Sequence, residues 1–433
     1  MKLLILSPYT KEDLRSHLHI KKYGRVTSWL VKKLKLTNRV QIIDKAFWVG
    51  DLITELKKQQ DVEIVSVSPQ IKMAKGMESF SHDGVKYYFY SADFSQAARL
   101  VKNYGLWKRI ETCSRRVRKV VDIENPDMII LFGTENFTVS APVLSLMNYP
   151  ILCILQTVYC NPERARYTTP NKMIIQLEKE ILQKVKFIGT GSDVYLRLIK
   201  KINPDLTVLK YEWISTSLPQ LESRQKKYDF VNYAFNLDPR KGDEDSVRAL
   251  AIVKKTHPEV TLNLAGGMAP SRKTYIERLI TKLGLQENVS FTPMFERKED
   301  MYAHVLQARC ALLPVKLDLV STTTRESMYY GIPVITNITP TTPLLNKDKQ
   351  CVLLAEKGNI DSLARCMLEV MENETLAKTL SENGHEYMVR EMDNAPKMKR
   401  LMSSLQSVID NYKEGTPIPH ELLFDTEKHQ LMA

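Results

Sequence analysis

The feature that most constrains this chain is an alternation. Short runs rich in β-branched and aromatic residues are separated by longer stretches whose apolar residues recur at helical spacing. In the first half the strand-like runs are Leu3 to Leu6, Val62 to Val67, Val85 to Tyr90, Met128 to Phe132, Ile151 to Leu155 and Phe187 to Thr190. Helical stretches such as Leu52 to Gln59 and Arg109 to Ile123 lie between them. Runs this apolar read as strands buried on both faces, so the pattern predicts a parallel sheet with helices on either side. The second half starts the alternation again. Strands are expected at Phe230 to Ala234, Val260 to Ala265, Val289 to Phe291, Ala311 to Leu313 and Pro333 to Thr336. Helices are expected at Asp245 to Thr256, Tyr275 to Leu283 and around Arg325 to Tyr330.

The fold class expected is therefore α/β: two Rossmann-like, doubly wound domains facing across a cleft. The polar stretch Pro219 to Lys227 is the expected joint, and Met398 to Tyr412 is an amphipathic helix expected to pack back on the first domain. The boundaries fall at 1–220, 221–395 and 396–433, and the last residues, from Gly415, are expected to be loosely ordered. In such sheets ligands bind outside the carboxyl ends of the strands, so the chemistry belongs in the loops that follow them.

Composition narrows the class. A chain of 433 residues with 43% hydrophobic and 26% charged residues is an ordinary soluble globular composition, not a disordered or fibrous one. The six cysteines, Cys113, Cys153, Cys160, Cys310, Cys351 and Cys366, form no C-x-x-C pair and read as reduced, buried thiols. The first residues have too short an apolar run for a signal peptide. No charge occurs over 136–162, which is long enough to span a bilayer, but Pro142, Asn148, Pro150 and Gln156 interrupt it. A helix over about Val139 to Met147 followed by a strand explains it better, and no transmembrane segment is expected. Net charge is +12, from 62 Lys+Arg against 50 Asp+Glu, which points to an anionic partner. Residues 1–40 hold ten Lys/Arg against two acids, and 102–119 hold seven against Glu111. Trp29 and Trp107 sit in these patches, which suit anionic lipid headgroups or equally form a solvated helix face.

Three loops carry candidate chemistry. The stretch from Lys316 to Thr336 leads from a strand through Asp318 and the hydroxyl residues Ser321, Thr322 and Thr323 into a helix. N–H groups at a helix start bind anions. Glu326, read as lying in the first turn, suits a pair of neighbouring hydroxyls, as does Asp318. Equally, Glu326 can complement the helix dipole while Ser321 to Thr324 cap the helix. The second loop, Ala234 to Gly242, holds Asn236, Arg240 and Lys241. Lys241 there can meet a diphosphate, although Asp-Pro-Arg-Lys-Gly is also good turn chemistry. The third, Leu264-Ala-Gly266-Gly267, allows close backbone approach to a ligand or serves a tight turn.

Taken in order, these stretches resemble the donor-binding half of the family 4 glycosyltransferases, retaining enzymes with the GT-B fold. The similarity runs from Phe230 to Leu376 and rests on P-R-K-G, L-N-L-A-G-G and D-x7-E-S-M-Y-Y-G-I-P-V-I-T. It implies that Lys241 neutralises the donor diphosphate, that Asp318 and Glu326 are the two acids of the E-x7-E motif, contacting donor sugar and ribose, and that Ser321 and Thr322 hold the distal phosphate. Asn236 stands where the family has an arginine, with Arg240 as the neighbouring charge. The stretch Asn125 to Glu135 more weakly resembles the family's P-D-V-I-H-x-H-G-T-E, which makes Gly133, Thr134, Glu135 and Gln156 the acceptor-side candidates. Phe47-Trp48-Val49-Gly50, read as opening a helix, is similar to its N-terminal glycine loop. The family's histidines are absent from Leu131 to Thr134 and at Gln156-Thr157.

The expected function is transfer of a sugar, with retention, from a nucleotide-diphosphate sugar to an acceptor hydroxyl in surface polysaccharide or glycolipid assembly. No cofactor and no metal are expected: the only D-x-D, Asp243-Glu244-Asp245, lies at a helix start and reads as structural. Expected partners are a nucleotide sugar, a glycan or glycolipid acceptor and an anionic membrane surface, but no nucleic acid. The expected location is the cytoplasm, peripheral on the inner face of the plasma membrane. A nucleotide-sugar epimerase or phosphorylase on the same fold is one alternative, and a basic nucleic-acid-binding protein is another. Gly189-Thr-Gly191-Ser-Asp-Val194 is a near miss to the dinucleotide fingerprint, lacking its third glycine and a later acid.

Overall fold

The computed structural model describes residues 1–20, 44–92, 102–167, 169, 171–215, 218–317 and 320–424, with the side chains of 102–106 left aside. The chain forms two compact units. One comprises Met1–Thr216 and Asn394–Ala433, the other Ser217–Asp393.

The first unit is built on eight strands: β1 (Lys2–Leu6), β2 (Glu63–Gln70), β3 (Met77–His82), β4 (Val85–Ser91), β5 (Met128–Phe132), β6 (Ile151–Ile154), β7 (Phe187–Thr190) and β8 (Thr207–Lys210). Their order across the sheet is β3-β4-β2-β1-β5-β6-β7-β8. All neighbours pair in parallel except β3, which returns antiparallel on β4 as an edge hairpin. Central β1 pairs Leu3 with Ile64 on one side and with Met128 on the other. Every residue of β5 is buried, as an unbroken apolar strand covered on both faces should be. The charge-free stretch becomes a short helix (Phe137–Ser140), a 3-10 turn with Pro142 near its start and then β6. No helix of the described residues is long and apolar enough to cross a membrane.

The chain returns to this unit through the helix Ala395–Glu414. Its Met398, Leu401, Leu405, Val408 and Ile409 lie in one core with Leu3, Ile5, Met128 and Leu152. The segment after it, as far as the last described residue, Phe424, is not loose, and 425–433 lie outside the described residues. Leu422 is buried, and Phe424 N–H donates to Val208 O at 2.9 Å, fastening the chain to edge strand β8. Phe47-Trp48-Val49-Gly50 opens the helix Phe47–Leu56, as expected of a stretch that begins a helix, with Gly50 inside its first turn.

The second unit carries β9 (Tyr228–Asn236), β10 (Leu262–Gly267), β11 (Val289–Thr292), β12 (Ala308–Leu313), β13 (Val334–Asn337) and β14 (Leu353–Ala355). The order is β11-β10-β9-β12-β13-β14, parallel throughout. Helices bury apolar cores against the two faces. Val247, Leu250, Ile276 and Met367 belong to one, and Val305, Met328 and Met388 to the other. The polar stretch expected as a linker is tied to this unit, since Lys226 Nζ donates to Leu306 O and Ala308 O.

Candidate active site

The second unit gathers three loops at the carboxyl ends of adjacent strands β10, β9 and β12. After β9, Asp238 opens a 3-10 turn (Pro239–Lys241), its carboxylate accepting from Arg240 N–H at 2.9 Å. Buried Asn232 reaches up from the strand and donates to Lys241 O at 3.2 Å, fixing the backbone of the turn. Arg240 forks onto Asp238 (Nη2–Oδ2 2.5 Å), so its charge is matched within the loop. Burial alone would raise the Asp238 carboxyl, but the Arg240 hydrogen bond and charge outweigh it and hold it low. Lys241 follows, half-buried at the loop's end.

The paired glycines sit beside this turn. Gly266 has φ +136, and a Cβ there would lie 1.9 Å from Ala234 O, so no side chain fits. The register of β10 on β9 shifts at this point and brings Gly267 opposite Asn236, with Leu237 N–H donating to Gly267 O at 2.7 Å. Asn236 and Phe235 remain exposed. The turn is also joined to the loop after β12, through Lys316 N–H donating to Arg240 O at 2.9 Å.

The third loop delivers the helix Thr322–Tyr329. Ser321 is its N-cap: Oγ accepts from Thr324 N–H at 3.2 Å and bonds the Thr323 and Thr324 hydroxyls at 2.9 Å. Thr322 and Thr323, in the first turn, have no intrahelical acceptor for their N–H groups. The helix starts at Thr322, not near Arg325, so Glu326 is in the second turn rather than the first. Its own N–H lies inside the helix ladder, which removes the dipole-capping alternative. Glu326 is 5% exposed, and Oε1 accepts from Tyr302 OH at 2.7 Å with Lys298 Nζ 3.9 Å away. Burial raises this carboxyl above the usual range, with Lys298 and Tyr302 opposing. Tyr233, buried in β9, anchors the helix start by donating to Thr323 O at 2.8 Å and meeting Ser327 Oγ at 3.0 Å. Asp318 lies outside the described residues.

Lys241, Arg240, Asn236, Gly266, Gly267, Ser321, Thr322 and Thr323 thus share one edge, with Glu326 beneath it. The acidic triplet faces elsewhere. Asp243 is paired with Arg272 (2.6 Å), Asp245 with Lys316 (2.8 Å) and Glu244 with Arg248 (2.8 Å). Among the described residues, no group of three or more His, Cys, Asp or Glu could hold a metal ion.

In the first unit Gly133, Thr134, Glu135 and Gln156 also come together, at the ends of β5 and β6. Gly133 has φ +78, and a Cβ there would lie 2.5 Å from Glu135 Oε2. With its amide turned to satisfy both neighbours, Gln156 accepts from Trp48 Nε1 at 3.0 Å and donates to Glu135 Oε1 at 3.3 Å. Burial pushes the Glu135 carboxyl up to about 7; the Glu178 charge adds to this, while the backbone N–H groups of Glu135 and Thr134 and the Arg164 charge oppose it. Thr134 Oγ1 donates to buried Glu178 at 2.5 Å. Sequence reading missed Glu178, Tyr233, Tyr302 and Lys298. Only Glu178 left a trace, an acid on the apolar stripe of an amphipathic helix.

Two α/β units with parallel sheets, one closed by a returning helix, define the GT-B fold, and comparison with known proteins places the chain within a class. Residues 214–387 match the family described as glycosyl transferases group 1. The second unit is that domain, so the chain carries a group 1 glycosyltransferase domain. In fold it is similar to sucrose-phosphate synthase from Thermosynechococcus elongatus (TM-score 0.66, 15% identity, 94% of this chain and 99% of that one). It is also similar to HepE of Anabaena, solved in complex with UDP and glucose (TM-score 0.57, 14% identity, 94% and 100%). S. aureus TarM is a third (TM-score 0.54, 13% identity, 70% and 59%). No curated protein matched in sequence.

Proposed function

We propose that the protein moves a sugar, with retention, from a nucleotide-diphosphate sugar to an acceptor hydroxyl in surface polysaccharide or glycolipid assembly. The observation that carries this is the meeting of the Lys241 turn, the Gly266-Gly267 bulge and the Ser321-capped helix start at three adjacent strand ends of a group 1 domain. That HepE was solved with UDP supports a nucleoside-diphosphate donor. As the glycosidic bond breaks, negative charge grows on the departing diphosphate. The ammonium of Lys241 and the helix-start N–H groups are preorganised to stabilise it. Oε2 of Glu326 makes no hydrogen bond with the described residues and suits a ribose hydroxyl, with Tyr302 holding Oε1. The transfer is read as metal-independent, because Asp243, Glu244 and Asp245 each already have a cationic partner. A membrane-borne acceptor is part of the same reading. Lys108, Arg115 and Lys119 lie on the exposed side of the helix Lys102–Glu124 with Trp107, 61% exposed, as an apolar anchor.

A thermal-shift panel of UDP, GDP, ADP and their sugar conjugates tests this. At least one nucleotide should stabilise the protein, and Lys241→Ala should weaken that binding about tenfold or more, the loss of a charge-assisted contact, without lowering the ligand-free Tm. No shift with any nucleotide would sink the reading.

A further inference from the structure

Glu178 lies on the core-facing side of the helix Lys172–Lys184 beside Leu177, Ile181 and Leu182, and is fully buried. A carboxylate in such a place is tolerated only when its lone pairs are bonded. Its donors come from two loops. Thr134 Oγ1 (2.5 Å) belongs to the loop after β5, while Tyr159 N–H (2.9 Å) and Cys160 N–H (2.5 Å) belong to the turn after β6. One carboxylate therefore clasps the two segments that carry Gly133, Glu135 and Gln156.

Glu135 beside it has one carboxylate oxygen without a hydrogen bond. Gln156 supplies Oε1, while Oε2 is buried with no hydrogen-bond partner. A buried carboxylate oxygen without a donor is rare and points to a group that arrives from outside. The surrounding charge selects that group. Glu178 is negative, and the Cys153 thiol is buried and pushed further up by both acids. A cation acting on Glu135, Arg164, stacks over the Tyr159 ring at 4.8 Å and reaches Thr157 Oγ1 at 3.4 Å. An anionic group would face two acids, whereas a hydroxyl supplies the missing donor.

We propose that Glu135 Oε2 accepts a hydrogen bond from a hydroxyl of a neutral sugar acceptor, and that Glu178 is the positioning residue that aims it. This rests on the transferase reading and narrows its acceptor to one presenting an uncharged polyol face. The ionised Glu135 carboxylate is a stronger acceptor than the neutral acid, which also carries a competing O–H donor, so binding should strengthen as pH rises through about 7.

Saturation-transfer NMR on the full chain tests it, with the methyl α-glycosides of glucose, galactose, mannose and N-acetylglucosamine as neutral probes, and glucuronate and glucosamine as charged comparators. A neutral glycoside should bind, and Glu135→Ala should weaken it about tenfold. Glu178→Gln keeps the shape and the fold. It should weaken binding similarly and move the pH midpoint downward, because a negative neighbour is gone; a merely structural role would leave that midpoint in place. UDP-induced thermal shifts should persist in both variants. Binding unaffected by Glu135→Ala, tightest binding of glucuronate or glucosamine, or no neutral glycoside binding at all would each overturn the proposal. If glycosides bind as described while no nucleotide does, the transferase reading fails and the hydroxyl site stands.

Discussion

Glu135 and Glu326 are both buried carboxyls held above the usual range, but their partners differ. Glu326 has a phenol on one oxygen and an ammonium nearby, whereas Glu135 has an amide on one oxygen, backbone N–H groups close by, and no hydrogen bond to Oε2. The consequence for stability can be given a sign. A carboxyl whose folded pKa, about 7, exceeds its usual 4.5 contributes fully below pH 4.5, and that contribution is lost as pH rises through 7. Glu135→Gln cannot ionise. It should match the wild type at pH 4.5 and exceed it at pH 8 by up to about 3 kcal/mol, at roughly 1.4 kcal/mol per unit. Urea melts at the two pH values check this, and equal differences at both would contradict it. The acid is thus retained at a cost in stability. At this scale the sequence was readable where a polar residue stands in a loop after a strand, as for Lys241, Ser321 and Gly266. It was opaque where polarity is buried inside an element. Tyr233 looks like any aromatic in a strand until its hydroxyl is seen on Thr323 O.

At the scale of elements, Glu124 shows how helix and sheet are joined. It ends the helix Lys102–Glu124, an unfavourable place for an acid. There its carboxylate receives Tyr88 OH (2.5 Å) and Lys86 Nζ (2.6 Å) from β4 and Lys2 Nζ (3.0 Å) from β1. Burial alone would raise this group, but these partners bring it down to about 2. The stabilisation is present above pH 4.5 and lost as pH falls through 2. Glu124→Gln should cost about 2 kcal/mol at neutral pH, the worth of a charge-assisted bond, and flatten the acid limb of the stability profile. A pH series of urea melts measures both. The buried strands were legible because apolar runs bounded by polar residues have few other readings. Edge strand β14 has only three residues, and edge strand β8, Thr207–Lys210, has only two apolar residues between polar ends, so neither stands out. Hairpin strand β3 had a usable signal, Asp83-Gly84, both at positive φ in the turn. Three threonines of modest helix propensity hid the helix start at Thr322, where the Ser321 cap decides the boundary.

For the whole molecule, the second unit is one continuous stretch of chain set within the first. The crossing points are held on the first unit's side, where Ser215 N–H donates to Asn394 Oδ1 at 2.9 Å and Asn394 Nδ2 donates to Ser215 O at 3.1 Å. Residues 217–393 expressed alone should therefore melt cooperatively. Residues 1–216 expressed alone should not, because Leu401, Leu405 and Val408 would be missing from a core they complete. Circular dichroism melts of the two fragments decide this, and a cooperative transition in 1–216 would refute it. That returning helix also sets a timetable for biosynthesis. On the ribosome the first unit is made first, yet it must wait until the entire second unit has been translated before its last core helix emerges. The later-made unit can finish folding while the earlier one still exposes apolar sheet, so this nascent chain needs protection longest at its beginning.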